Sequence, residues 1–131
     1  MEQPLERLRA ICLALPETTE RLSHGEPTFF VRGKKVFATY ADHHHDDRLS
    51  FWCHAPAGAQ QSLVAADPQR FFVPPYVGGR GWIGVYLDVA GQVLDDAFWD
   101  EITELVEDAY RMVAPKKLIT ELDARRRADA T

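Results

Sequence analysis

Two runs of alternating residues, held apart by six polar ones, constrain this chain more than anything else in it. In residues 35–41, Val36, Ala38 and Tyr40 fall on one side, and Phe37, Thr39 and Ala41 on the other. In residues 48–54, Leu49, Phe51 and Cys53 oppose Arg48, Ser50, Trp52 and His54. A period of two is strand geometry. The polar residues 42–47 between them make a hairpin loop, so the two strands are expected to pair antiparallel. An aromatic and β-branched run, residues 28–32, precedes them across Gly33, and three strands in a meander are predicted. A fourth strand is predicted over residues 82–88. Its aliphatic side, Ile83, Val85 and Leu87, is the expected core face, because burying each stabilises by about 1.5–3 kcal/mol. Trp82, Gly84 and Tyr86 then share the opposite face with Trp52.

The remaining segments read mainly as helices. Pro4 suits a first helical turn, and Leu5, Leu8, Cys12 and Leu15 follow at helical spacing until Pro16. Residues 17–27 are polar, carry Gly25 and are expected to be a loop. Residues 60–66 form a short predicted helix ending near Pro68. Residues 71–81 are expected to be a loop rich in aromatics, Pro and Gly. Asp95 and Asp96 are good N-terminal caps. Phe98, Ile102, Leu105, Val106, Ala109 and Val113 then form an apolar stripe opposite an acidic face. Pro115 separates this helix from a last one over residues 116–128, whose end, 124–131, is expected to fray into solvent. The fold class predicted is a single α+β domain: a two-layer sandwich with helices on one face of a four-stranded antiparallel sheet.

The 131 residues fit one domain. No apolar run approaches the length of a membrane span. The start, Met1-Glu2-Gln3-Pro4, has no signal-peptide pattern, and a cytoplasmic location is expected. Cys12 and Cys53 lack metal-binding or redox spacing and are expected to be reduced thiols near the core. The net charge of −5 disfavours a general affinity for polyphosphate but permits a local basic patch.

Three groups of residues carry a resemblance. They are Leu15-Pro16-Glu17-Thr18-Thr19-Glu20 with His24-Gly25-Glu26-Pro27-Thr28-Phe29 and Arg32-Gly33-Lys34-Lys35-Val36-Phe37-Ala38; the run from Pro75 to Val85; and Asp108-Ala109-Tyr110-Arg111-Met112-Val113 before a lysine pair. Together they resemble the MmcQ/YjbR family over roughly residues 5–118. The resemblance implies a CyaY-like (frataxin-like) sandwich and a DNA-binding description through a pair of winged elements. It implies no catalytic residue set, and fold alone does not fix function.

Three functions can be weighed. DNA binding needs a basic face that releases counterions. The candidates are Arg32, Lys34 and Lys35 on a predicted turn, and Arg111, Lys116, Lys117, Arg125, Arg126 and Arg127 near the C-terminus. From Arg111 to Arg127 six basic residues face two acids, whereas residues 95–108 hold seven acids and no base. A small anionic or nucleotide-like ligand is the alternative, held by His24, Lys35, Tyr76, Arg80 and Trp82 if the 76–82 loop folds over the loop of His24. A protein-interaction surface on the face of Trp52, Trp82 and Tyr86 is the third, and needs an exposed apolar patch. The His43–His45 run with Asp46 and Asp47 is better suited to a charged hairpin tip than to a metal, since consecutive residues cannot all face one ion. No cofactor is expected. No phosphate loop, nucleophile elbow or HExxH motif is present.

Overall fold

A computed structural model describes residues 3–43 and 46–130. Helix α1 (Pro4–Leu13) leads into strands β1 (Thr18–Ser23), β2 (Glu26–Val31), β3 (Lys35–Asp42) and β4 (Leu49–Cys53). Helix α2 (Ala59–Ala66), strand β5 (Phe71–Phe72), a single 3-10 turn (Gly78–Arg80) and strand β6 (Ile83–Tyr86) follow. Helices α3 (Asp96–Val113) and α4 (Lys116–Asp129) complete the chain. The strands form one antiparallel sheet in the order β1-β2-β3-β4-β6-β5. The α+β class is as expected. No helix among the described residues is long and apolar enough to cross a membrane.

The sheet has six strands rather than four, and both additions are edges. Residues 17–27, expected as a loop, contain β1 and a two-residue turn. Thr18-Thr19-Glu20-Arg21-Leu22-Ser23 shows no apolar alternation because most of this edge strand faces water. Its turn is His24-Gly25, with φ of 53° and 82°. That pair of left-handed residues matches the twist of a hairpin. Within the expected loop 71–81, Phe71 and Phe72 pair with Val85 and Gly84.

The helices pack on one face of the sheet. Leu8 and Cys12 of α1, Ile102, Val106, Ala109 and Tyr110 of α3, and Leu118 and Leu122 of α4 meet Phe29, Phe37, Phe51, Cys53, Ile83 and Val85. Asp95 caps α3 by accepting from the Phe98 N–H at 3.0 Å. The Tyr110 ring meets Phe37 edge-on at 5.8 Å, and its hydroxyl donates to the Pro16 carbonyl at 2.8 Å. Residues 124–130, expected as a solvated tail, are exposed, and α4 stays helical through them to Asp129.

One side-chain assignment is corrected. Phe29 pairs with Ala38, but Phe30 pairs with Val36, so Phe37 is an extra residue on β3. Such a bulge shifts the alternation by one. Phe37 therefore joins Ala38 and Tyr40 in the main core, and Val36 joins Thr39 and Ala41 on the opposite face.

Candidate functional site

The second face of the sheet is not bare. Ala41, Trp52 and Trp82 form a smaller apolar cluster, with Val36, Phe72 and Val77 packed against it. Trp52 and Trp82 are only 8% and 2% exposed, so the rings that an aromatic interaction surface would present are covered. Two glycines let the covering segment approach. A Cβ on Gly84 would sit 2.3 Å from the Phe72 ring, and one on Gly78 2.4 Å from Val73. Phe72 lies over the strand at that gap and stacks on Tyr86 at 4.4 Å. The buried Gln60 amide donates to the carbonyls of Gly78 and Trp82, at 2.9 and 2.6 Å, and so ties this segment to α2.

Between this segment and the β1–β2 hairpin lies a cavity of about 600 Å³. Thr28, Phe30, Val36, Thr39, Ala41, Trp52 and Trp82 line it from the sheet; Ser23, His24 and Glu26 border it from the hairpin; Tyr76, Val77 and Arg80 border it from the loop. The Thr28 and Thr39 hydroxyls are 2.9 Å apart and satisfy each other in the floor. His24 and Tyr76 both have positive φ, 53° and 68°, a conformation that costs a side-chain-bearing residue free energy and is held by its surroundings. Of the five residues expected to hold a ligand, His24, Tyr76, Arg80 and Trp82 meet here. Lys35 does not: it lies exposed at the β2–β3 turn, outside the lining.

Arg80 differs from nearly all other arginines of the chain. Arg7, Arg9, Arg32, Arg48, Arg70, Arg111, Arg125 and Arg126 are ion-paired, and Arg21 donates to the Gly33 carbonyl while lying over Phe30. Among the described residues only Arg80 and Arg127 have no such partner, and Arg80 borders the cavity. Beside it, the buried indole Nε1 of Trp82 and the buried Nδ1 of His54 also find no hydrogen-bond partner among the described residues. His54 lies against Trp82, ring centroids 4.6 Å apart. Burial first, and then the Arg80 charge, hold its pKa below the ordinary imidazole value, so His54 stays neutral near pH 7.

His54, Gln60 and the hydroxyl pair were not legible as site residues. Cys53 and His54 were expected on opposite faces and are, but nothing in the spacing announces that Arg80 comes to His54.

The basic candidates divide differently. Arg32 pairs with Glu17 at 3.0 Å, Arg111 with Asp123 at 2.7 Å, Arg125 with Glu121 at 2.8 Å, and Arg126 with Glu107. Lys34, Lys35, Lys116, Lys117 and Arg127 are exposed. His43 pairs with Asp42; His44 and His45 lie outside the described residues. Among those described, no group of three or more His, Cys, Asp or Glu could hold a metal ion. Cys12 and Cys53 are free thiols buried in the main core.

A six-stranded α+β sandwich with helices on one face and a lined cavity on the other is the class of protein these features define. The chain belongs to the YjbR family, whose model matches residues 13–112. Among solved structures it is similar to the crystal structure of Deinococcus radiodurans protein DR2400, which carries the DUF419 domain. The two share 22% sequence identity and a TM-score of 0.69, over 92% of this chain and 88% of that one. This likeness is one of fold. No match is found among curated proteins.

Proposed function

We propose that this YjbR-family chain is a small ligand-binding protein whose site is the cavity on the second face of its sheet. The ligand is a molecule with an aromatic or flat apolar body and one anionic group. The observation that carries this function is the unpartnered Arg80 at the rim of a cavity walled by aromatic and apolar side chains. An oxyanion accepts from the Arg80 guanidinium, whose planar fork favours carboxylate or phosphate geometry. The apolar and aromatic walls suit a ring, and the volume is in the range of small-molecule sites. Calorimetry with biphenyl-4-carboxylate and the uncharged biphenyl-4-methanol tests it. The acid is expected to bind with one-to-one stoichiometry and more tightly than the alcohol. Arg80→Met should abolish that difference. Equal binding of the two, or none of either, would overturn the assignment.

Weak, sequence-tolerant DNA binding is the second function. It is supported by Lys34, Lys35, Lys116, Lys117 and Arg127, which are exposed and have no acid partner among the described residues. The acidic outer face of α3, with Asp100, Glu104 and Asp108 exposed, opposes it. If DNA binds, log affinity falls steeply with log salt, and the double variant Lys116→Ala, Lys117→Ala flattens the slope. No binding at low salt ends this alternative.

A further inference from the structure

The cavity carries opposite charges at its two ends. Arg80 acts on His54, whose backbone N–H bonds the Phe37 carbonyl near the start of β3. Glu26 stands at the other end, where its Oε2 accepts from the Asp42 N–H at 2.7 Å at the close of β3. Arg80 and Glu26 both border the cavity between them.

The two ends are not equivalent in polarity. At the Arg80 end the neighbouring imidazole is neutral, so the guanidinium is the local charge. At the Glu26 end Asp42 adds a second carboxylate, which is engaged by His43. Burial, Asp42 and Glu26 together push the Tyr40 hydroxyl up to about 12, as an acidic neighbourhood does. The Oε1 of Glu26 has no partner among the described residues. One guanidinium opposite one carboxylate cannot neutralise a diphosphate or triphosphate. It matches a molecule that is itself dipolar.

We propose that the ligand is an extended amphoteric aromatic molecule, with a single oxyanion at Arg80 and a cationic or hydrogen-bond-donating nitrogen at Glu26. This rests on the ligand-binding function above and specifies its substrate class. A polyphosphate would leave most of its charge unmatched here, and a simple aromatic acid would leave Glu26 unused.

The test compares 4′-(aminomethyl)biphenyl-4-carboxylate with biphenyl-4-carboxylate by calorimetry on the full chain. The aminomethyl group should tighten binding about five- to tenfold, in line with one charge-assisted hydrogen bond at a partly exposed site. Glu26→Gln should erase that gain, so that the two acids bind alike, while both keep their dependence on Arg80. Arg80→Met should weaken both acids. Circular dichroism of each variant checks that it folds, and Glu26→Asp, which keeps the charge, should recover part of the gain. If the plain acid binds through Arg80 but the amine adds nothing, the dipolar ligand is wrong and the anion site stands. If the amine's gain survives in Glu26→Gln, Glu26 is not its partner and the inference falls. If neither acid binds, both assignments fall together.

Discussion

The two faces of one sheet are built to opposite specifications. Toward the helices, Phe29, Phe37, Phe51, Ile83 and Val85 are all fully buried, and close packing leaves no room for a ligand. Toward the β1–β2 hairpin and the 73–81 segment, the other face offers threonines and two tryptophans around a cavity. Buried Trp82 Nε1 stands there without a partner. A buried donor left unsatisfied costs about 1–3 kcal/mol. The contrast sets a closely packed side against one that holds a cavity.

Substitutions can break that contrast, beginning with the largest expected effect. Phe37→Ala opens a cavity in the main core beside Tyr110 and should cost about 3–5 kcal/mol in urea unfolding. Gly84→Ala acts on the second face, where the added methyl meets the Phe72 ring at 2.3 Å. It should cost about 1–3 kcal/mol and loosen the covering segment, seen as altered near-UV dichroism from Trp82. Either substitution proving neutral would undo the picture of its face.

Tyr110→Phe removes the bond to Pro16 and should cost about 1 kcal/mol at neutral pH. It also sharpens the comparison at alkaline pH. Burial holds the Tyr110 hydroxyl up at about 12, above its ordinary 10. A raised folded-state pKa contributes stability that is complete below pH 10 and lost as pH rises toward 12. The wild-type chain should therefore lose stability across that window, and the variant should lose less. Tyrosinate absorbance followed during unfolding would show equal losses if this is wrong. The smallest stability effect belongs to Arg80→Met. With no partner among the described residues, Arg80 should cost less than about 0.5 kcal/mol to remove, while its loss removes the preference for acidic ligands. A large drop in melting temperature would show that Arg80 supports the fold instead.

What was legible follows from how each signal is generated. The aliphatic side of β6 and the stripe of α3 are set by local periodicity, and both lie where the spacing puts them. Strand β1 was missed because an exposed edge needs no apolar alternation, and its hairpin uses His-Gly in place of the commoner Asn-Gly. The bulge at Phe37 was missed because perfect alternation and alternation with one extra residue look alike over so short a run. Four ligand candidates were found as polar or aromatic members of recognised motifs. His54 and Glu26 were not, because their placement beside Arg80 and Asp42 arises from pairing across strands, which spacing along the chain does not encode. The basic C-terminal residues read as a patch in the sequence, yet three of the six, Arg111, Arg125 and Arg126, are ion-paired in the fold.

The unpaired residue in β3 has a consequence for how such a chain can vary. It sets the phase between the part of the strand that meets Tyr110 and the part that opens on Val36. Losing that extra residue's phase by a deletion beside it would turn Val36 toward the helices and the Phe37 ring toward the second face. Length at this point is thus as tightly fixed as composition, and an insertion or deletion tolerated in a surface loop would here exchange one face of the sheet with the other.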